Sequence, residues 1–363
     1  MKITDVQIEA FAWPMRQQFF NSTVSFTRGT MTLVKIETDE GLTGIGPSYS
    51  KPVIHTAIET MRPLLIGQDP LNVERLWHTM WVPKVVGRRG LTTQAISAID
   101  IALWDLRGKI AGLPLHKLLG GYRDRVPAYI AGGYYAPDKS IKDLQTEMAS
   151  YVAQGVKAVK MKIGGMAPAE DAARVKAVRQ AIGPDIKLMM DANCAYRAFE
   201  AVTFARRVEE HDVSWFEEPV GADDYAGFRR LAETSTIPIA AGENEYTKYG
   251  FRDLIASGGI SILNPDAKIA GGITEFMKIA ALAQAHDLAV SPHGSQEVHT
   301  PLAAACPNTL IVEYYPAEFD AMWGKRYHHT ILLDADGMVS PSDLPGLGAE
   351  PNYANLNEFR VKL

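Results

Sequence analysis

The chain has 363 residues, enough for two domains or for one large barrel with an addition. Its net charge of −5 gives no support for binding to nucleic acid or to acidic membranes. The two cysteines, Cys194 and Cys306, form no zinc-type pair, the first residues lack the apolar core of a signal peptide, and no apolar run approaches the ~18 residues of a membrane span. We therefore expect a cytoplasmic globular protein, and we expect it to form a homo-oligomer.

The first third of the chain predicts an α+β domain. The stretch "KITDVQIEAF" alternates as a strand does, and "MTLVKIETDEGLTGIG" predicts a hairpin with its turn at residues 39–41. Between them, residues 14–29 predict a polar and aromatic loop. Apolar residues then recur at helical spacing in "QAISAIDIALWDLRGKIAG", and Gly112 is the expected end of that helix.

The pattern changes at Val126, where short apolar strands begin to alternate with helix-length segments. Eight such strands follow one another: "VPAYIAGG", "AVKMKIGG", "IKLMMDAN", "SWFEEPV", "IPIAAGEN", "ISILNPDAK", "LAVSPHG" and "LIVEYY". Eight βα units predict a closed barrel with parallel strands. A doubly wound open sheet is the alternative, but no GxGxxG motif follows any of these strands. The turn-rich tail is expected to return to the first domain.

Charged and polar residues lie where these strands end. From the second strand to the eighth they are Lys160 and Lys162, Asp191 and Asn193, Glu217 and Glu218, Glu243 and Asn244, Asp266, His293, and Glu313. In barrels of this kind the carboxyl ends of the strands carry the active site. Seven consecutive strands with this feature favour an active site over scattered surface charge.

Carboxylates from three adjacent strands predict a metal site. Asp191, Glu243 and one glutamate of "FEEP" offer hard oxygen ligands, which suit one Mg²⁺ ion, with Mn²⁺ as the alternative. Neighbouring residues on a strand point in opposite directions, so only one of Glu217 and Glu218 faces inward, and periodicity does not say which. Cys194 is interpreted as a packing residue, because a thiolate is a poor ligand for Mg²⁺.

Two basic residues would flank this metal from opposite sides. Lys160 disfavours a second positive charge beside it, which predicts a lowered pKa and a role as a base for Lys162. His293 lies across the barrel, and Asp266 on the preceding strand is expected to fix its tautomer and support its protonated form.

These motifs resemble those of the enolase superfamily and, within it, of the mandelate racemase subgroup. "AIDIALWDLRGKIAGLPLHKLLGG" is similar to the segment that joins cap to barrel, and "VKMKIG" is similar to the Lys-X-Lys motif. The resemblance spans nearly the whole chain. It implies an N-terminal α+β capping domain over residues 1–122, a modified (β/α)₈ TIM-type barrel over residues 123–325, and a C-terminal segment over residues 326–363 that completes the cap.

The resemblance also implies the roles of the site residues. It assigns three metal ligands, which selects Glu217 over Glu218: Asp191 in "DAN", Glu217 in "FEEP" and Glu243 in "GEN". It implies that Lys162 is a base, that "PDA" and "SPHG" supply the dyad of Asp266 and His293, and that Lys160 stabilises charge. Glu313 in "IVEYY" would donate a hydrogen bond to a substrate carboxylate, so we predict that Glu313 is protonated.

One position separates this chain from another subgroup. Muconate-cycloisomerase-like relatives have a lysine base where this chain has Asp266. Lys268 follows two residues later, and strand alternation predicts that it faces the same way. We expect a structural role for Lys268.

The implied reaction begins with removal of the proton α to a carboxylate. Most subgroup members with both a Lys-X-Lys motif and a His-Asp dyad are sugar-acid dehydratases of carbohydrate acid catabolism. We therefore expect a hydro-lyase that converts an aldonate or aldarate into a 2-keto-3-deoxy acid. The alternatives are a racemase or epimerase of a 2-hydroxy acid, a cycloisomerase of a sugar-acid lactone, and a barrel kept only for binding.

Residues at strand ends and in the cap are candidates for substrate binding. Phe19, Phe20 and Phe26 would close the site, and the loop offers polar groups: Gln17, Gln18, Asn21, Ser22 and Thr23. Arg88 and Arg89 in "VVGRRG" would bind a distal carboxylate through a guanidinium fork. The substrate-binding candidates are Asn193, Lys160, Glu313, Phe19, Arg88 and Arg89.

Overall fold

The structure, a computed structural model, describes residues 1–82 and 89–362. Its strands are β1 (Ile3–Phe20), β2 (Ser25–Thr38), β3 (Thr43–Ser48), β4 (Val126–Gly132), β5 (Ala158–Lys162), β6 (Lys187–Asp191), β7 (Val213–Glu217), β8 (Ile239–Ala241), β9 (Ile262–Leu263), β10 (Ala289–Val290), β11 (Val312–Tyr314), β12 (Met338–Val339) and β13 (Arg360–Val361). Its α-helices are α1 (Pro52–Leu65), α2 (Val73–Met80), α3 (Leu91–Ala111), α4 (Leu115–Leu118), α5 (Ile141–Val152), α6 (Pro168–Ile182), α7 (Ala198–Val208), α8 (Tyr225–Thr234), α9 (Thr247–Ala256), α10 (Ala267–Ala270), α11 (Gly272–Ala285), α12 (Gln296–Ala305) and α13 (Tyr353–Leu356).

The N-terminal strands form an antiparallel sheet in the order β13-β1-β2-β3. The hairpin predicted with its turn near residues 39–41 is present as β2 and β3. The loop predicted over residues 14–29 is wrong, because β1 continues to Phe20 and β2 begins at Ser25, with Phe19 opposite Phe26. A register shift between Pro14 and Phe19 accommodates the irregular polar stretch that the sequence pattern suggested would end the strand. The result is a long hairpin, whose tip pairs with the barrel where Phe20 and Tyr135 exchange backbone hydrogen bonds of 2.9 and 3.0 Å.

Helix α3 packs across this sheet and joins it to the barrel. Its buried residues include Ile96, Ile99 and Leu103, and it ends at Gly112, which has a positive φ of 64°, as predicted. The helix lies so close to β3 that a Cβ atom at Gly46 would be 2.0 Å from the carbonyl oxygen of Ala98. Glycine at this position is therefore a packing requirement.

The barrel is built from eight parallel strands in the order β10-β9-β8-β7-β6-β5-β4-β11. The ring closes where the N–H of Leu310 donates to the carbonyl of Val290 (2.8 Å) and the N–H of Val290 donates to Asn308 (3.0 Å). This confirms the predicted TIM-type barrel. It is modified at its end, because no helix follows β11 within residues 315–352, all of which the structure describes. Among the described helices, none is both long and apolar enough to cross a lipid bilayer.

Strand alternation divides the barrel into an inner and an outer core. One set of buried residues fills the interior, including Tyr129, Ala158, Met189 and Trp215, and the residues between them pack against the helices. On β5 the inward positions are therefore Ala158, Lys160 and Lys162, which places both lysines above an apolar floor.

Candidate active site

Three carboxylates meet above that floor. Asp191 and Glu217 end β6 and β7, where they are partners in the parallel register, and Glu243 follows β8 by two residues. One oxygen from each can be chosen so that all lie within 4.8 Å of one another. Asp191 and Glu217 are fully buried. The carboxyl ends of three adjacent parallel strands thus bring the predicted ligand set together.

This cluster fits a hard divalent cation. Burial raises the pKa of Glu217 to about 8; Asp191 adds to the rise and Lys160 opposes it. The Oε2 atom of Glu243 is buried without a hydrogen-bond partner among the described residues. Carboxylates that repel each other, with an oxygen left to coordinate, match the oxygen ligands that Mg²⁺ prefers.

Glu217 and Glu218 take different roles. Glu217 points into the barrel, where it accepts hydrogen bonds from Lys160 (2.8 Å) and from the indole of Trp215 (3.0 Å). Glu218 has a positive φ of 39° and accepts a hydrogen bond of 2.9 Å from Asn244. Cys194 also contacts Glu218, through its sulfur at 3.4 Å, so its thiol lies beside the carboxylate cluster without belonging to it.

The two lysines of β5 are engaged by different carboxylates. The Nζ atom of Lys160 lies 2.8 Å from Glu217 and 2.9 Å from Glu313, and Lys162 contacts Asp191. Burial lowers the pKa of Lys162 and Lys160 lowers it further, but Asp191, Tyr134 and Glu243 together raise it more, so the net pKa is raised. Lys160 thus acts in the predicted direction, but the predicted net lowering of the Lys162 pKa is wrong for the protein without a cation, because the nearest charge is the carboxylate of Asp191.

His293 lies at the other end of the carboxylate cluster. Its Nδ1 is 3.1 Å from Asp266 Oδ2 and its Nε2 is 3.4 Å from Glu243. Burial lowers the pKa of His293, but Glu243 and Asp266 raise it to about 10, so the imidazole is protonated in the protein without a cation. Tyr49, from the end of the N-terminal sheet, donates a hydrogen bond of 2.7 Å to the same Asp266 oxygen. The sequence offered no signal for Tyr49, because its partner is 217 residues away.

Glu313 faces the lysine side of the site from β11. One of its oxygens is 2.9 Å from Lys160, and the other accepts a hydrogen bond of 2.7 Å from the backbone N–H of Gly294. Burial raises the pKa of Glu313, but Lys160 and His293 together lower it to about 2. The prediction that Glu313 is protonated is therefore wrong for the protein without cation and substrate, because its neighbours are donors and cations.

Lys268 does not lie on a strand. Asp266 caps the short helix α10 by accepting a hydrogen bond of 2.8 Å from the N–H of Lys268, so the strand alternation on which the prediction for Lys268 was based does not apply. The Lys268 Nζ lies 3.8 Å above the ring of Tyr49. Burial lowers the pKa of Lys268 against the opposing pull of Asp266.

A cavity of about 410 Å³ opens onto the carboxylates beneath the N-terminal hairpin. Its lining includes Lys162, Asn193, Glu243 and His293 from the barrel, together with Phe19, Asn21, Thr23 and Phe26 from the hairpin. Asn193 has a positive φ of 44°, and its Oδ1 accepts a hydrogen bond of 2.9 Å from Asn21. Gln17, Gln18, Phe20 and Ser22 do not line it; Phe20 stacks on Tyr135, and Ser22 donates to the carbonyl of Ala192.

One of the two predicted arginines can be placed relative to this cavity. Arg88 lies outside the described residues. Arg89 lies 3.6 Å from Glu245 and 3.5 Å from Asp253 and is not among the residues that line the cavity, so its contact with a distal carboxylate stays a prediction. The arginine that does line the cavity is Arg326, which follows β11 in the turn-rich tail, where charged residues carried no periodic signal.

The comparisons with known proteins agree with this geometry. Residues 3–120 match the family described as mandelate racemase / muconate lactonizing enzyme, N-terminal domain, and residues 143–355 match enolase C-terminal domain-like proteins. Arabinonate dehydratase of Saccharolobus solfataricus is 36% identical over 337 residues, covering 90% of each chain. D-Galactarolactone cycloisomerase of Agrobacterium fabrum is 35% identical over 380 residues, covering 99% of each chain.

A similar solved structure contains a bound metal ion. The crystal structure of a racemase from Streptomyces coelicolor A3(2) with bound magnesium has a TM-score of 0.92 and 33% identity, covering 99% of this chain and 100% of that chain. The cluster of Asp191, Glu217 and Glu243 supplies the matching donor set here, and the cofactor is Mg²⁺. The chain belongs to the enolase superfamily, within its mandelate racemase subgroup.

Proposed function

We propose that the protein is a Mg²⁺-dependent sugar-acid dehydratase. It would remove the proton α to a carboxylate and expel the β-hydroxyl, giving a 2-keto-3-deoxy acid. The observation that carries this proposal is the opposed pair in one cavity: Lys162 contacts one end of the carboxylate cluster and protonated His293 the other. The similarity to arabinonate dehydratase supports the proposal.

The residues divide the elimination into a base side and an acid side. The Nζ of Lys162 takes the proton from C2, and the electron pair of that C–H bond moves into the substrate carboxylate to give an enediolate; it then returns to form the C2–C3 double bond as the C3–O bond breaks. His293 Nε2 gives its proton to the departing hydroxyl, which leaves as water. The resulting enol becomes the 2-keto acid when C3 gains a proton and the hydroxyl group on C2 loses one. Asp266 holds the imidazole of His293 through its Nδ1 at 3.1 Å, so the acidic proton faces the cavity.

The remaining groups manage the charge that develops on the substrate carboxylate. Bound by Asp191, Glu217 and Glu243, Mg²⁺ supplies a Lewis acid for that carboxylate. The ammonium of Lys160 lies between Glu217 and Glu313 at 2.8 and 2.9 Å, fixed where negative charge would grow. A cation at the cluster also offsets the carboxylate charge that raises the pKa of Lys162, which favours its neutral, basic form.

The experiment is a stereochemically complete library of aldonates and aldarates, assayed for 2-keto acid with Mg²⁺. We expect one or a few acids to give product, and Lys162→Ala to abolish it. Absence of product across the library would overturn the dehydratase proposal. Parallel incubation in deuterated water distinguishes a dehydratase from a racemase. A racemase would place deuterium at C2 of the recovered acid and would form no keto acid.

A second candidate, a sugar-acid lactone cycloisomerase, is favoured by the apolar wall of the cavity. Phe19, Phe26 and Phe319 line it beside Tyr134 and Trp323, and such faces suit the C–H side of a compact ring. D-Galactarolactone cycloisomerase is a relative of full length. Opening a lactone expels a carboxylate, which needs no proton. His293→Asn would therefore keep elimination from a lactone but lose it from an open-chain acid.

A further inference from the structure

Two charged residues of the tail line the active-site cavity away from the reacting groups. Asp320 and Arg326 follow β11, and both border the cavity that contains Lys162 and His293. The only ion pairs of Arg326 among the described residues are with Asp320 (3.5 Å) and Glu297 (4.0 Å). Arg326 therefore faces the substrate space without contacting the carboxylate cluster, Lys162 or His293.

The guanidinium of Arg326 has donors to offer. In the part of the chain that the structure describes, its Nε is buried without a hydrogen-bond partner, and the carboxylates at 3.5 and 4.0 Å lie beyond normal hydrogen-bond distance. The side chain is only 23% exposed, so solvent reaches only part of it. A largely buried guanidinium with free N–H groups favours an oxygen-bearing ligand in the cavity.

Asp320 offers an acceptor beside these donors. Its Oδ1 is held by the indole N–H of Trp13 (2.7 Å) and by the backbone N–H of Met322 (2.8 Å). Its Oδ2 faces Arg326 at 3.5 Å. The pair thus presents fixed donors and an acceptor side by side, which is the complement of a hydroxyl group.

The charge balance decides between a neutral and an acidic substrate end. Two carboxylates, Asp320 and Glu297, already lie within 4.0 Å of the single guanidinium. A second carboxylate on the substrate would approach Asp320, which borders the partly enclosed cavity, where like charges repel more strongly than in water. A hydroxylated, uncharged end meets no such repulsion.

We propose that Arg326 and Asp320 bind the distal hydroxyl groups of the substrate and select aldonates, with one carboxylate, over aldarates, with two. This rests on the proposed function, because the first carboxylate is taken to lie at the Mg²⁺ site. Arg89 was predicted to bind a carboxylate at the distal end of the substrate. The pair of Arg326 and Asp320 would instead disfavour a carboxylate there.

The test compares matched aldonate and aldarate pairs of equal chain length and configuration. Dissociation constants are measured by calorimetry with Mg²⁺ on the Lys162→Ala variant, and kcat/KM is measured on the wild-type enzyme. We expect the better aldonate to have a dissociation constant about tenfold lower than that of its aldarate, and a kcat/KM about tenfold higher. Equal or tighter binding of the aldarate overturns the inference and leaves the dehydratase proposal intact. Binding of neither class overturns both.

Two variants assign the selectivity to the pair. Asp320→Asn keeps an oxygen for Trp13 and Met322 but removes the negative charge, so the aldonate preference is expected to fall about threefold or more. Arg326→Gln is expected to cost about tenfold in kcat/KM, more for six-carbon acids than for the three-carbon glycerate, which is too short to span the cavity. Unchanged preference in Asp320→Asn, or an equal loss for both chain lengths, contradicts the inference.

A matched control removes an arginine of similar surroundings. Arg125 also lies between two carboxylates, those of Asp334 and Asp336. It is exposed, however, and precedes the amino end of β4, whereas the active site lies at the carboxyl ends of the strands. Arg125→Gln is expected to change neither the selectivity nor the dissociation constants. A shift of the same size in Arg125→Gln would show that the Arg326 result is a general effect of charge and would overturn the assignment.

Discussion

At the scale of single residues, the direction of a side chain could be predicted wherever the strand that carries it could be predicted. Lys160 and Lys162 face inward because β5 alternates, and Asp191 and Glu217 meet because β6 and β7 are in register. Their pKa values were not predictable. The neighbour that dominates the pKa of Lys162 is Asp191, on another strand, and the sequence pattern suggested Lys160 instead. Tyr49 and Arg326 were missed because they reach the site from irregular segments.

Tyr49 is the residue whose role is easiest to isolate. It donates to the Asp266 oxygen that also contacts His293, so Tyr49→Phe removes one of the bonds that fix the carboxylate. We expect kcat to fall about tenfold with little change in KM, because the substrate is still bound while the acid is less well oriented. The measurement is steady-state kinetics on the best substrate. Tyr122→Phe, at an exposed tyrosine, is the control, and an equal effect there would contradict the role.

At the scale of elements, long periodic segments were predictable and short ones were not. Helix α3 ends at Gly112 as its apolar spacing and terminal glycine predict. Strands β9 and β10 are only two residues long, so Asp266 and His293 lie beyond them in turns and a short helix. The extended hairpin of β1 and β2 was missed because its polar residues break alternation, and its far end is held by the barrel through Tyr135.

The contact between α3 and β3 predicts a sharp glycine requirement. Gly46→Ala would place a Cβ atom 2.0 Å from the carbonyl of Ala98, which forces the backbone apart. We expect a loss of about 1–3 kcal/mol in the free energy of unfolding by denaturant titration. Gly221→Ala is the matched control, since its Cβ would meet no atom within 4 Å and should leave stability nearly unchanged.

The same helix carries a buried acid that predicts a pH dependence. Asp100 accepts hydrogen bonds from the backbone N–H (2.9 Å) and hydroxyl (2.6 Å) of Thr274, and burial raises its pKa from 3.8 to about 7 despite them. The folded state therefore holds this proton more tightly than the unfolded state. Stability associated with it is present below pH 3.8 and is lost as the pH rises to about 7. Across that window wild type should lose stability relative to Asp100→Asn in urea titrations. Parallel curves would contradict the raised pKa.

At the scale of the whole molecule, the site exists only where the N-terminal sheet and the barrel meet. The barrel supplies the carboxylates and His293, while the sheet supplies Tyr49 and the aromatic hairpin that covers the cavity. The fold class was predictable because eight βα units in sequence have few other solutions. The contacts between the N-terminal sheet and the barrel could not be predicted, because neither sequence pattern specifies which residues of the sheet contact the barrel.

Metal binding and folding should therefore be coupled across the molecule. The carboxylates of Asp191, Glu217 and Glu243 repel each other without a cation, and a ligand that binds only the folded state stabilises it by about 2.7 kcal/mol at a concentration of 100 times its Kd. We expect chelation to lower the Tm of the wild type and Mg²⁺ to restore it with saturation. Glu243→Gln removes one ligand charge, so the Mg²⁺-dependent shift in Tm should disappear. Glu233→Gln, which changes an exposed glutamate on α8, should behave as wild type. A full Mg²⁺ shift in Glu243→Gln would show that the cation does not depend on this carboxylate.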